Sequence, residues 1–134
     1  MKILDSDHWI ALLRRRLDLR GRASPDEELA MTAISLCELT HGAYKSARAT
    51  ENLARLDVLL AATTLLPYGA GAARRFGLLK ANLERLGESL SDLDLQIASI
   101  ALEYEALLVT HNRNHFERVP GLVIEDWLEA STTS

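Results

Sequence analysis

Cysteine is almost missing from this 134-residue chain. With Cys37 alone, an internal disulfide and a cysteine-ligated zinc site are both excluded. Long apolar runs are missing too. The longest, VLLAATTLL over 58–66, falls far short of the roughly 20 residues needed to span a bilayer. The first apolar run stops at Asp5, too soon for the apolar region of a secretion signal, so a soluble cytoplasmic protein is expected. Positive charge is in deficit: 15 Lys and Arg against 19 Asp and Glu give a net charge of −4. That balance argues against coating nucleic acid by bulk electrostatics, and leaves room for an enzyme that handles it at one local site. What is present is an ordinary globular composition, 48% hydrophobic and 25% charged, in a length suited to one domain. With no repeat, low-complexity tract or linker, a single domain over 1–129 is expected, with 130–134 as a frayed tail.

Short apolar segments alternate with helical patterns. KILD (2–5), LAMTAIS (29–35), TTLLPY (63–68), ALLVTH (106–111) and LVIEDW (122–127) read as strands. Between them, 8–20 places Trp9, Leu12, Leu13 and Leu17 at helical spacing, and 36–47 reads as a short helix ending near Gly42. Segment 49–62 puts Leu53, Leu56, Leu59 and Leu60 on one face, 70–88 turns Phe76, Leu79, Leu83 and Leu86 inward, and 91–105 is a further helix. The Arg14–Arg15–Arg16 run invites a nucleic-acid reading, but a solvated last helical turn complementing the dipole is simpler. Continuous apolar strands alternating with helices mean a mostly parallel sheet covered on both faces. In such sheets the functional crevice lies at the carboxyl ends of the strands.

Asp5 ends the first of those strands, and a buried carboxylate is costly unless it is paired or holds a cation. Glu38 follows the second strand, Asp92 and Asp94 open the helix before the fourth, and Asn112 and His115 follow the fourth. Such a supply of oxygen donors suits a hard divalent cation, without which the carboxylates would repel. Each residue also has a plainer role. Ser35-x-x-Glu38 fits a capping box, Asp7 fits the N-cap of the first helix, and Asp92 and Asp94 suit a helix start capped by Ser91. Two residues apart on a helix, Asp92 and Asp94 point to different sides, and Asp94 continues the face of Ile97, Ala98 and Ala101. His111 and His115 lack a third zinc ligand, and Cys37 with His41 reads as a core cysteine beside a surface histidine.

In order along the chain, Leu4-Asp5-Ser6, Glu38 within ISLCEL, Asp94 within DLQIA, and the run LLVTHNRNHFERVPGL form a pattern. The pattern resembles the PIN-domain ribonucleases of the VapC kind, the toxins of bacterial toxin–antitoxin pairs, over nearly the whole chain. The resemblance implies a three-layer α/β/α sandwich around a sheet of about five strands, and a Mg²⁺- or Mn²⁺-dependent endoribonuclease. It assigns Asp5, Glu38 and Asp94 as catalytic, metal-holding carboxylates, with Glu38 binding the ion or orienting water. Ser6 and Asn112 would hold waters or phosphate. It further implies a homodimer and a small antitoxin whose basic side chain enters the acidic cleft. Many relatives carry an acid where this chain has Asn112, and commonly another where it has His115. Three crowded carboxylates should leave one with a raised pKa, with Asp5 or Asp94 expected to carry it.

Other families fit less well. A haloacid-dehalogenase-like phosphatase also begins D-x-D after a strand, but needs a Thr where Trp9 stands and a larger chain. A receiver domain needs a phosphoacceptor Asp ending its third strand, which here ends LLPY. A PIN-like protein that only binds RNA or a protein is the alternative from another class. Single-stranded RNA is read by loops and stacking aromatics, of which Trp9 lies nearest the candidate site, although a core role for it is simpler.

Overall fold

The first strand, β1, is only Lys2–Leu4, yet Ile3 and Leu4 are both fully buried. Alternation along the strand sends them to opposite faces, Ile3 into one apolar cluster and Leu4 into another. The computed structural model describes residues 1–128, so residue 129 and the tail expected at 130–134 lie outside the described residues. After β1 come α1 (Ser6–Leu13), β2 (Leu29–Thr32), α2 (Ala33–Lys45), α3 (Ala49–Ala61) and β3 (Thr64–Leu66). Then follow α4 (Ala70–Arg85), α5 (Asp92–Glu103), β4 (Leu107–Val109), the single turn α6 (Arg113–Phe116) and β5 (Ile124–Glu125).

The five strands form one parallel sheet in the order β3-β2-β1-β4-β5. Ile3 lies between Ala30 and Leu108 in register, and all three face the cluster built with Ala72, Ile97, Ile100 and Ala101 of α4 and α5. Leu4, Met31 and Val109 face the other way, against Trp9 of α1, Leu39 of α2 and Leu56 of α3. This is the expected three-layer α/β/α arrangement. The order reverses at β1, so the carboxyl ends of β1 and β4 border the topological switch point, where such folds open a crevice.

Several boundaries differ from the sequence reading. The first helix stops at Leu13 rather than near residue 20, because Arg15 turns into the left-handed region (φ 56°) and the Arg16 amide bonds back to the Ala11 carbonyl at 2.7 Å. That reversal returns Leu17 and Leu19 to the Trp9 cluster, and Arg14–Arg16 are solvated just past the helix rather than within its last turn. The second strand ends at Thr32 and not at residue 35. The Thr32 hydroxyl accepts the Ser35 amide at 3.1 Å and starts α2 three residues earlier than the pattern suggests, and the helix runs through Gly42 to Lys45. The polar turn after β4 contains the one-turn helix α6.

Candidate active site

Asp5 leaves β1 with its amide bonded to the Val109 carbonyl of β4 at 3.0 Å, so its backbone is fixed by the sheet. Its side chain is the N-cap of α1, a role the sequence reading gave to Asp7. One oxygen, Oδ1, accepts both the His8 amide at 3.2 Å and a ring contact from His8 Nδ1 at 2.8 Å. Asp7 instead stands exposed in the first turn of α1. Ser6, the first residue of α1, donates from Oγ to Glu38 Oε1 at 3.1 Å.

Glu38 is not a capping-box residue. Thr32 caps α2, so Ser35 is inside the helix and Glu38 is on its second turn. Asp94 and Asp92 separate as expected. The Ser91 hydroxyl caps α5 by accepting the Asp94 amide at 3.2 Å. The Asp94 carboxylate meets His115 Nδ1 at 3.2 Å, while Asp92 turns outward to Lys80 Nζ at 2.8 Å. Asn112, preceding α6, is held by its amide bond to Thr110 Oγ1 at 3.1 Å. Asp5, Ser6, Asp7, Glu38, Asp94 and Asn112 line one open cleft, with Ile97 and Phe116 as its apolar wall.

Charge is concentrated there. Partial burial pushes the Glu38 carboxyl above its ordinary value, the Ser6 bond pulls it back, and the charges of Asp94, Asp5 and Asp7 push it further up. The sequence alone points to Asp5 or Asp94 for such a rise. It falls on Glu38, first through partial burial and then through the charges of Asp94, Asp5 and Asp7.

The donor set is chemically that of a hard-cation site: carboxylates, a hydroxyl and an amide oxygen, with no sulfur. Among the described residues, no three His, Cys, Asp or Glu side chains stand close enough to share an ion in their present placement. Each carboxylate is instead engaged by its neighbour: Asp5 by His8, Glu38 by Ser6 and Asp94 by His115. The oxygens therefore fit a divalent ion in kind and location, and side-chain rotation would have to gather them.

Sequence reasoning missed the chain of groups behind the cleft. His8 is fully buried, its Nε2 accepts the Trp127 amide at 3.1 Å, and Asp126 Oδ1 lies 3.7 Å away. Asp126 in turn meets His111 Nδ1 at 2.8 Å. The spacing Asp5-x-x-His8 hinted at the first contact, since an N-cap side chain faces position three of its helix. Trp9 is 1% exposed and belongs to the core, which removes it as a stacking surface. Cys37 is exposed, contrary to the core reading, because Leu36, Leu39 and Ala43 supply the inward face of α2. His111 and His115 serve different acids rather than one ion.

A model of the PIN domain matches residues 2–122. Ribonuclease VapC2 of Haemophilus influenzae (strain ATCC 51907 / DSM 11121 / KW20 / Rd) is 32% identical over 94% of this chain and 97% of its own length. The tRNA(fMet)-specific endonuclease VapC of Shigella flexneri is 36% identical over 75% of this chain and 76% of its own. Among solved structures, DNA-bound VapBC from Salmonella typhimurium superposes with a TM-score of 0.86 at 32% identity, over 94% of this chain and 97% of that one. The chain belongs to the PIN-domain family and is VapC-like.

Proposed function

We propose that this chain is an endoribonuclease acting as the toxin of a toxin–antitoxin pair, with residues 1–129 as its single domain. The observation that carries the reading is the meeting of Asp5, Glu38 and Asp94 in one cleft at the β1/β4 switch point, on a chain similar to ribonucleases along nearly its whole length. Asp5 and Asp94 would hold Mg²⁺ or Mn²⁺, and Glu38 would hold the ion or orient the attacking water. When bound, such an ion activates water and offsets charge on the phosphate during hydrolysis. Ser6 fixes the Glu38 carboxylate, His115 holds Asp94, and the Asn112 amide supplies a neutral hydrogen-bonding edge for water or phosphate.

A cleft this acidic also favours a protein inhibitor that presents a guanidinium to the same carboxylates. The cognate antitoxin is accordingly a small protein with an Arg at its contact segment, in keeping with solved neighbours that are VapBC assemblies. We further place the protein in the cytoplasm as a homodimer. No helix among the described residues is long and apolar enough to cross a membrane. Small-angle scattering that reports a monomer at high concentration would contradict the dimer.

The alternative is a PIN-like protein that binds without cutting, favoured by the observation that among the described residues no three candidate ligands stand together in their present placement. Purified protein incubated with structured RNA, with Mn²⁺ and then with chelator, separates the two. Metal-dependent cleavage supports the enzyme, and intact RNA with retained binding supports the alternative. Sequencing the RNA ends formed when the protein is expressed alone in cells then names the target.

A further inference from the structure

We propose that His8 is the positioning residue of Asp5, and that the backbone after β5 selects the imidazole tautomer that makes it so. The inference rests on the reading of Asp5 as a metal-holding carboxylate.

A backbone N–H only donates, so the Trp127 amide, 3.1 Å from His8 Nε2, requires that nitrogen to accept. The ring proton must then sit on Nδ1, which lies 2.8 Å from Asp5 Oδ1 and donates to it. Asp5 Oδ1 also receives the His8 amide at 3.2 Å. Two donors on one oxygen fix the carboxylate plane and leave Oδ2 as the oxygen turned to other partners. The ring itself cannot swing, being fully buried and edge-on to the Trp127 indole at 6.3 Å between centroids and 75° between planes.

Trp127 is secured in its turn. Its Nε1 donates to Glu125 Oε2 at 3.2 Å, and Lys2 Nζ stands over its ring at 5.5 Å. Asp126 beside it is bonded to the Leu128 amide at 2.9 Å and to His111. The segment 125–128 therefore acts on the cleft from behind, across 119 positions of sequence, without reaching the reacting atoms. A carboxylate held this way presents one oxygen in one direction, which is what a ligand to a small, geometrically demanding dication requires.

Two substitutions split the two bonds. In His8→Asn the amide nitrogen replaces Nδ1 and still reaches Asp5, but nothing accepts the Trp127 amide. In His8→Gln the longer side chain replaces Nε2 and still accepts from Trp127, but the donor to Asp5 is gone. Calorimetry with Mn²⁺ should find His8→Gln about tenfold weaker than the parent chain, with a lower kcat at unchanged KM. His8→Asn should bind Mn²⁺ within about twofold of the parent while melting at a lower temperature. Long-range ¹H–¹⁵N spectra of the unsubstituted protein, with no metal added, should show His8 protonated at Nδ1 and bare at Nε2. A proton on Nε2 overturns the proposal, as does equal Mn²⁺ affinity in His8→Gln and the parent. Failure of the metal reading looks different: Asp5→Asn then binds Mn²⁺ as well as the parent, which ends the role given to His8 whatever its tautomer.

Discussion

Ser6 and Glu38 are bonded across the cleft, Oγ to Oε1 at 3.1 Å, which ties the helix after β1 to the helix after β2. The bond stabilises the ionised carboxylate against burial and three neighbouring acids. Ser6→Ala should therefore raise the Glu38 carboxyl further and move the acid limb of the kcat–pH profile to higher pH. Cleavage on that acid limb should fall by roughly tenfold and recover partly as the pH rises. An acid limb that stays in place would show that Ser6 does not act through Glu38.

The same raised carboxyl makes a stability prediction. Glu38 holds its proton more tightly folded than unfolded, so ionising it opposes folding. The penalty is absent below the ordinary value of 4.5 and fully present above the raised one. In chelator at pH 7, Glu38→Gln should be more stable than the parent by roughly 0.5 kcal/mol, small because the residue is exposed and screened. The gain should disappear near pH 4. Thermal melts at the two pH values measure it, and destabilisation at pH 7 would contradict it.

Asp126 behaves oppositely. Burial alone would push its carboxyl up, but the Leu128 amide and His111 outweigh burial and hold it below the ordinary 3.8. A depressed carboxylate contributes stability above its unfolded value and loses it as the pH falls through the folded one. Asp126→Asn should accordingly cost about 1–3 kcal/mol at pH 7, with the gap to the parent narrowing as the pH is lowered beneath the carboxylate range. Urea titrations at pH 7 and pH 3 check both halves of the statement.

Much of this was legible in the chain because burial leaves a one-dimensional trace. Ile3, Ala30 and Leu108 lie in continuous apolar runs, which only a sheet covered on both faces accommodates, and Asp5 stands where such a run meets solvent. Asp94 could be told from Asp92 because helical spacing puts it on the face of Ile97. Glu38 was harder, since Ser35 and Thr32 are both plausible caps and only tertiary packing decides where β2 ends. The left-handed turn at Arg15 has no glycine to announce it. The His8–Trp127 bond was invisible for a plain reason: its partners come from opposite ends of the chain, and only the sheet order brings them together.

Asn112 lines the cleft as a neutral residue. Asn112→Asp adds a fifth carboxylate to the cleft, so Mn²⁺ should bind roughly tenfold tighter, and the metal-free Glu38 carboxyl should move up again through like-charge repulsion. Calorimetry on both chains reads the first effect directly. Unchanged or weaker affinity would mean that the residue does not face the bound ion.

If Asp5, Glu38 and Asp94 cut RNA together, parallel cleavage assays on single variants will show it. Purified parent chain, Asp5→Asn, Asp94→Asn and Asp92→Asn are incubated with the same structured RNA in Mn²⁺. Asp5→Asn and Asp94→Asn should each lose at least about a hundredfold in cleavage rate while keeping the parent's circular dichroism. Asp92→Asn, whose carboxylate pairs with Lys80 away from the cleft, should cut like the parent. Cleavage by Asp5→Asn or Asp94→Asn at the parent rate, or equal loss in all three variants, would contradict the account.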